Sequence, residues 1–143
     1  MTNKQELQEQ VEKLQKELDI LKSQIDNTDK IDLFKITTYK QVCKALNEKE
    51  YKLSDFNNDE KLLAFAQLKQ IETLYCQNWI KDWKNTNQYK YYPYFTINSS
   101  GRLVFDLSLS CGNGFVGTVG FFPDEKTSTY VGKTFIDIYE KLK

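Results

Sequence analysis

The sequence predicts an α+β protein: an N-terminal coiled-coil helix, then a small domain of two helices, a three-stranded antiparallel sheet and a C-terminal helix. Three observations predict it. Apolar residues recur at alternating four- and three-residue spacing from Leu7 to Ile25, helical periodicity returns in the middle and at the end of the chain, and from Tyr94 to Phe122 the period changes to two. The expected division is residues 1–30 for the coil and its linker and 31–143 for the globular domain.

The first stretch carries the sharpest pattern. With Leu7 at heptad position d, Val11, Leu18 and Ile25 fall at a, and Leu14 and Leu21 at d. The flanking e and g positions are polar (Gln8, Gln15 and Lys22; Gln10, Glu17 and Gln24), so the stripe is a narrow seam rather than the wide face that docks on a globular core. A helix of this length is marginal alone in water, because nucleation is costly, so partner strands must supply its stability. Val11 and Ile25 at a with leucine at d favour a parallel dimer, while Leu18 at a leaves a trimer open. In a parallel pairing Glu17 at g faces Lys22 at the next e of the neighbouring chain. Within one helix, Glu9 with Lys13 and Glu12 with Lys16 stand in the favourable i,i+4 order, and Thr2 with Gln5 suits an N-terminal capping box.

The seam stops at the polar linker Asp26-Asn27-Thr28-Asp29-Lys30. Thr38 with Gln41 forms a second capping-box pattern ahead of Tyr39, Val42, Cys43 and Leu46, which predicts a short helix over about 38–48. Asn57-Asn58-Asp59 offers caps for a long central helix, about 59–84, with Gln67, Gln70, Gln77 and Lys81 as its wet strip. The strands follow. Tyr94–Ile97 reads as the first, Asn98-Ser99-Ser100-Gly101 as a turn, and Leu103, Phe105, Leu107 and Leu109 as the buried face of the second, alternating with Val104, Asp106, Ser108 and Ser110. Asn113-Gly114 suits a tight hairpin before a third strand, Phe115–Phe122, in which Gly117 and Gly120 mark a bulge or a close backbone approach. Pro123-Asp124-Glu125 then opens a terminal helix with Val131, Phe135, Ile138 and Leu142 on one face.

Composition narrows the function classes. The chain has 143 residues, 14% of them aromatic, and formal charge zero, so it is no disordered segment and carries no long-range field towards nucleic acid or anionic lipid. Histidine is absent, which removes Cys–His and Ser–His catalysis and leaves Cys43, Cys76 and Cys111 as an odd, widely spaced set without a metal-site pattern. The three read as small buried apolar residues in a reducing compartment. No catalytic residue, metal site or cofactor is indicated. Asp106, Asp124, Asp137 and Glu140 show no acid/base pairing and read as solvated charges, while Gly132-Lys133-Thr134 lacks the first glycine of a phosphate loop, Thr127 standing in its place. With neither a signal-like N-terminus nor an apolar run of membrane length, the expectation is a cytoplasmic protein, and incorporation into a particle would need no signal.

One further cluster draws notice. Trp79, Trp83, Tyr89, Tyr91 and Tyr92, interleaved with Lys84 and Lys90, have the composition of a surface that stacks single-stranded nucleic acid or meets a partner protein. Arg102 is the only arginine, which argues against phosphate or guanine recognition, and the plainer reading of the rings is filler between helix and sheet.

From Ile36 onward the chain resembles small uncharacterised proteins of gut Bacteroidetes and their phages. The resemblance rests on the segments Thr38–Leu46, Asn87–Phe95 and Val131–Tyr139, and it brings context but no activity. Two readings follow. The first is a non-enzymatic assembly or adaptor protein, a phage structural or accessory component, associating with itself through the coil and binding another protein. The alternative is a single-stranded nucleic-acid binder acting through the aromatic and lysine surface.

Overall fold

The computed structural model describes residues 3–28, 31–113 and 119–143, with side chains from residue 25 to residue 28 excepted. The chain divides into two compact units, Met1–Asp32 and Leu33–Lys143. The first is the single helix α1, Asn3–Thr28. Gln15 Nε2 donates to Asp19 Oδ1 at 3.0 Å along it. The Glu9–Lys13 and Glu12–Lys16 pairs are not closed, since the ion pairs among the described residues are Lys49–Asp55, Lys81–Glu72 and Lys143–Glu140. Both pairs are exposed, where closing an ion pair gains little. The Thr2 cap lies outside the described residues.

The second unit is α+β. Its helices are α2 (Tyr39–Leu46), α3 (Glu60–Cys76), α4 (Glu125–Thr134) and α5 (Ile136–Glu140), with strands β1 (Lys90–Ile97) and β2 (Leu103–Cys111) between α3 and α4. Helix α2 has the capping box its sequence promised: Thr38 Oγ accepts from the Gln41 N–H, and Gln41 Oε1 accepts from the Thr38 and Thr37 N–H groups. Its far end closes with Asn47 at φ 55° and the Glu48 N–H on the Cys43 carbonyl, the left-handed cap that asparagine tolerates. Asp59 caps α3 by accepting from the Lys61 and Leu62 N–H groups. Ile36, Val42, Ala64, Leu68, Ile71, Tyr75, Phe122, Val131, Phe135 and Ile138 form one buried cluster.

Helix α3 ends eight residues before the expected Lys84, because Gln77 takes φ 48° and ψ −115° and the chain turns. Lys81 then comes back to Glu72 at 2.7 Å, and Gln88 ties the returning segment by accepting from the Asp82 N–H and donating to the Ile80 carbonyl. The expected wet strip is also corrected. Gln67 and Gln70 are buried, and Gln70 is fully engaged in hydrogen bonds.

The sheet has two strands among the described residues, not three. β1 and β2 pair antiparallel around the Asn98–Arg102 turn, where Asn98 Oδ1 accepts from the Ser100 and Arg102 N–H groups and Gly101 sits at φ 80°. Of the expected third strand, residues 114–118 lie outside the described residues. Among the described residues of that stretch Phe122 alone joins the sheet, exchanging both backbone hydrogen bonds with Tyr91. The Gly120 and Phe121 N–H groups, which a strand would spend on a ladder, donate instead to Glu72 Oε2.

A bulge overturns the expected alternation in β2. Tyr94 pairs with Leu107 but Phe95 with Phe105, so Asp106 is the extra residue and the facing parity reverses there. Ser108 therefore faces α4, bonding Ser128 and Thr129 at 2.9 Å, and Leu107 is left 43% exposed. Helices α4 and α5 pack on that inner face. The expected single terminal helix is interrupted at Phe135 (φ −108°, ψ 25°); Val131, Phe135 and Ile138 are buried as the spacing required, while Leu142 lies beyond α5 and is exposed. Asp124 is the N-cap of α4, accepting from the Thr127 N–H at 2.7 Å, and Glu140 accepts from the Leu103 N–H at 2.8 Å, so neither is the plain solvated charge expected.

Candidate oligomerisation seam and aromatic surface

The heptad seam lies on one continuous helix. Leu7, Val11, Leu14, Leu18 and Leu21 are exposed by 59, 64, 64, 44 and 55%, and Ile25 falls where side chains are not described. Their i,i+3 and i,i+4 spacing stacks them along one side of α1, while Gln8, Gln10, Gln15, Glu17, Lys22 and Gln24 flank them. An apolar row of that length facing water is costly, and at about 25 cal/mol per Å² its removal from water is the available driving force for association. The seam contains no titratable side chain.

The aromatic and lysine residues do not line one exposed surface. Tyr89 and Lys84 are exposed, whereas Trp79, Trp83, Tyr91 and Tyr92 are half-buried and Lys90 is wholly buried. Two of them, Trp83 and Tyr92, gather instead around Phe121, a residue expected only as part of a strand, and Lys90 packs on Trp83 behind them. The Trp83 ring meets Phe121 edge-on at 5.1 Å, the Tyr92 ring lies 5.4 Å from it, and Lys90 Nζ sits 5.1 Å from the centroid of Trp83. Lys90 donates to the carbonyls of Asn85 (2.9 Å) and Gly112 (3.2 Å), locking the 77–89 connection to the open end of the hairpin. Gly112 belongs to this closure: a Cβ there would lie 2.1 Å from the Thr86 carbonyl oxygen. The close backbone approach expected at Gly117 or Gly120 is thus found at Gly112, and Gly117 lies outside the described residues.

Two of the three thiols, Cys43 and Cys76, are held in the protonated form, which is a poor nucleophile. Burial raises the Cys43 thiol, and burial together with the neighbouring Glu72 carboxylate pushes Cys76 up to about 12. All three cysteines are free, Cys43 buried and the others half-buried. Glu72 is neutralised by Lys81 and by two backbone N–H groups, which makes it an anchor for the 119–122 segment. Gly132-Lys133-Thr134 closes α4, inside a helix rather than before one, which is the wrong place for a phosphate loop. Among the described residues, no group of three or more Cys, Asp or Glu side chains is placed to hold a metal ion, and no helix is long and apolar enough to cross a membrane.

No protein-family model matches the chain, no curated protein matches it, and no solved structure matches it.

Proposed function

We propose that the protein is a non-enzymatic assembly or adaptor protein in which α1 joins two or three parallel copies and the Leu33–Lys143 unit is displayed for a second partner. One observation carries the reading: five consecutive a and d side chains, Leu7 to Leu21, are exposed on a helix that forms a unit of its own. A second copy is the occupant because the flanking positions suit it. The polar e and g residues keep the dry strip two side chains per heptad wide, and Glu17 meets Lys22 of the next chain in parallel register. The resemblance to Bacteroidetes and phage proteins supports a structural or accessory role in a phage. The nucleic-acid alternative has less to stand on, since Lys90 is spent on backbone carbonyls and Lys84 and Tyr89 remain as the exposed members of that set.

The test is light scattering on the whole chain beside the double variant Leu14→Asp, Leu21→Asp. The wild type should weigh two or three times the 16.9 kDa chain and the variant one. Near-ultraviolet dichroism should be unchanged, because Leu33–Lys143 folds around its own core. Equal masses for the two proteins would end the proposal.

A further inference from the structure

The 3₁₀ turn Leu53–Phe56 and the chain leading into it stand off from α3 and leave a cleft of about 580 Å³, within the range of small-molecule sites. Its back is Gln70, buried and held on all sides. Gln70 Nε2 donates to Glu48 Oε2 and to the Lys49 carbonyl, both at 3.0 Å, while Oε1 accepts from the Tyr39 hydroxyl. That hydroxyl in turn accepts from the Tyr51 N–H at 3.0 Å. The rings of Tyr51 and Phe56, packed edge-to-face at 5.5 Å, give the cleft an apolar wall.

Four charged side chains line this space. Lys49 and Asp55 cancel each other at 2.9 Å. Glu48 and Lys69 remain, and neither belongs to an ion pair among the described residues. Glu48 is fixed by Gln70, and Lys69 lines the same cleft from α3, so its lining carries one anion and one cation outside the Lys49–Asp55 pair, beside an aromatic wall. We propose that this cleft binds a free α-amino acid with an apolar side chain: its ammonium on Glu48, its carboxylate on Lys69 and its side chain against Tyr51 and Phe56. Opposite charges one carbon apart, joined to an apolar group, define a free amino acid and exclude the interior of a peptide. The site is independent of the α1 seam.

Amide NMR shifts during titration of the whole chain with L-phenylalanine, phenylacetate and phenethylamine test it. L-phenylalanine should give saturable shifts confined to residues 48–56 and 66–73 at millimolar concentration, and each analogue, lacking one charge, should bind about ten-fold more weakly. Glu48→Gln keeps an acceptor for Gln70 and Lys69→Gln alters an exposed residue, so both should fold, and each should weaken L-phenylalanine about ten-fold. Absence of saturation by about 10 mM, shifts elsewhere, equal binding of an analogue, or wild-type affinity in either variant would overturn the proposal.

Discussion

The ammonium of Lys90 lies 5.1 Å from the ring centroid of Trp83, in a place where lysine is fully buried and its hydrogen bonds go to two backbone carbonyls. A buried cation is tolerated only where its donors are satisfied, and here carbonyl dipoles and the face of an indole take the role a carboxylate usually fills. Lys90→Met keeps most of the volume but strips the Asn85 and Gly112 carbonyls of their donor. It should lower unfolding stability by about 1–3 kcal/mol. Urea unfolding followed by tryptophan fluorescence reads this directly, and an unchanged midpoint would mean the ammonium contributes nothing there.

Gly132 sits inside α4, where replacing glycine by alanine ordinarily stabilises a helix by about 1 kcal/mol. Here the sign should reverse. A Cβ would stand 2.5 Å from the Pro93 Cβ and 3.0 Å from Phe105 Cδ2, so α4 could no longer lie this close to β1 and β2. Overpacking of this kind costs about 1–3 kcal/mol. Thermal unfolding of Gly132→Ala should therefore begin at lower temperature than wild type, and a gain would show that the helix has room to move away.

These two sites mark the limits of reading the chain by pattern. Thr38 with Gln41, and Asp59 as an N-cap, were legible because caps are local: the residues that satisfy a helix terminus lie within one turn of it. The end of α3 was not, since Trp79, Ile80 and Trp83 continue a helical spacing although the chain leaves the helix at Gln77. What stops it is distant: Glu72 drawing Lys81, and Phe121 collecting Trp83 and Tyr92. The bulge at Asp106 was equally hidden, because one inserted residue turns Leu107 outward and Ser108 inward while the hydropathy still alternates. The seam of α1 was the most legible candidate site, being a one-dimensional repeat. The cleft at Gln70 had no sequence signal at all, as Tyr39, Glu48, Tyr51 and Gln70 meet only through tertiary contact.

Acid should loosen the turn that frames this cleft before it reaches the core. The Asp55 carboxyl is held below its usual range, first by the Lys52 N–H and then by the hydrogen bond from Lys49. A carboxyl whose folded value is depressed stabilises the fold above the ordinary carboxylate range and loses that contribution as pH falls through the lowered value. Amide-exchange protection of residues 52–56 should therefore decline in that window while α3 stays protected. In Asp55→Asn the decline should vanish, because nothing titrates there; persistence would assign it to another group.

Tyr139 offers the opposite case to Lys90. Its hydroxyl is buried with no hydrogen-bond partner among the described residues, its ring packs 4.8 Å from Phe95, and burial, followed by the Glu72 carboxylate, holds its acidity well below that of a free phenol. A buried polar group without a partner subtracts stability, so Tyr139→Phe, which keeps the ring contact and deletes only the oxygen, should raise stability by about 1 kcal/mol. Tyr75→Phe is the internal comparison: the Tyr75 hydroxyl donates to the Leu33 carbonyl at 2.7 Å, and removing it should cost about 0.5–1.5 kcal/mol. Two melts that shift in opposite directions would show that the sign follows the hydrogen bond, since both phenols lie against the same buried cluster. A loss of stability in Tyr139→Phe would instead reveal that this hydroxyl has found a partner.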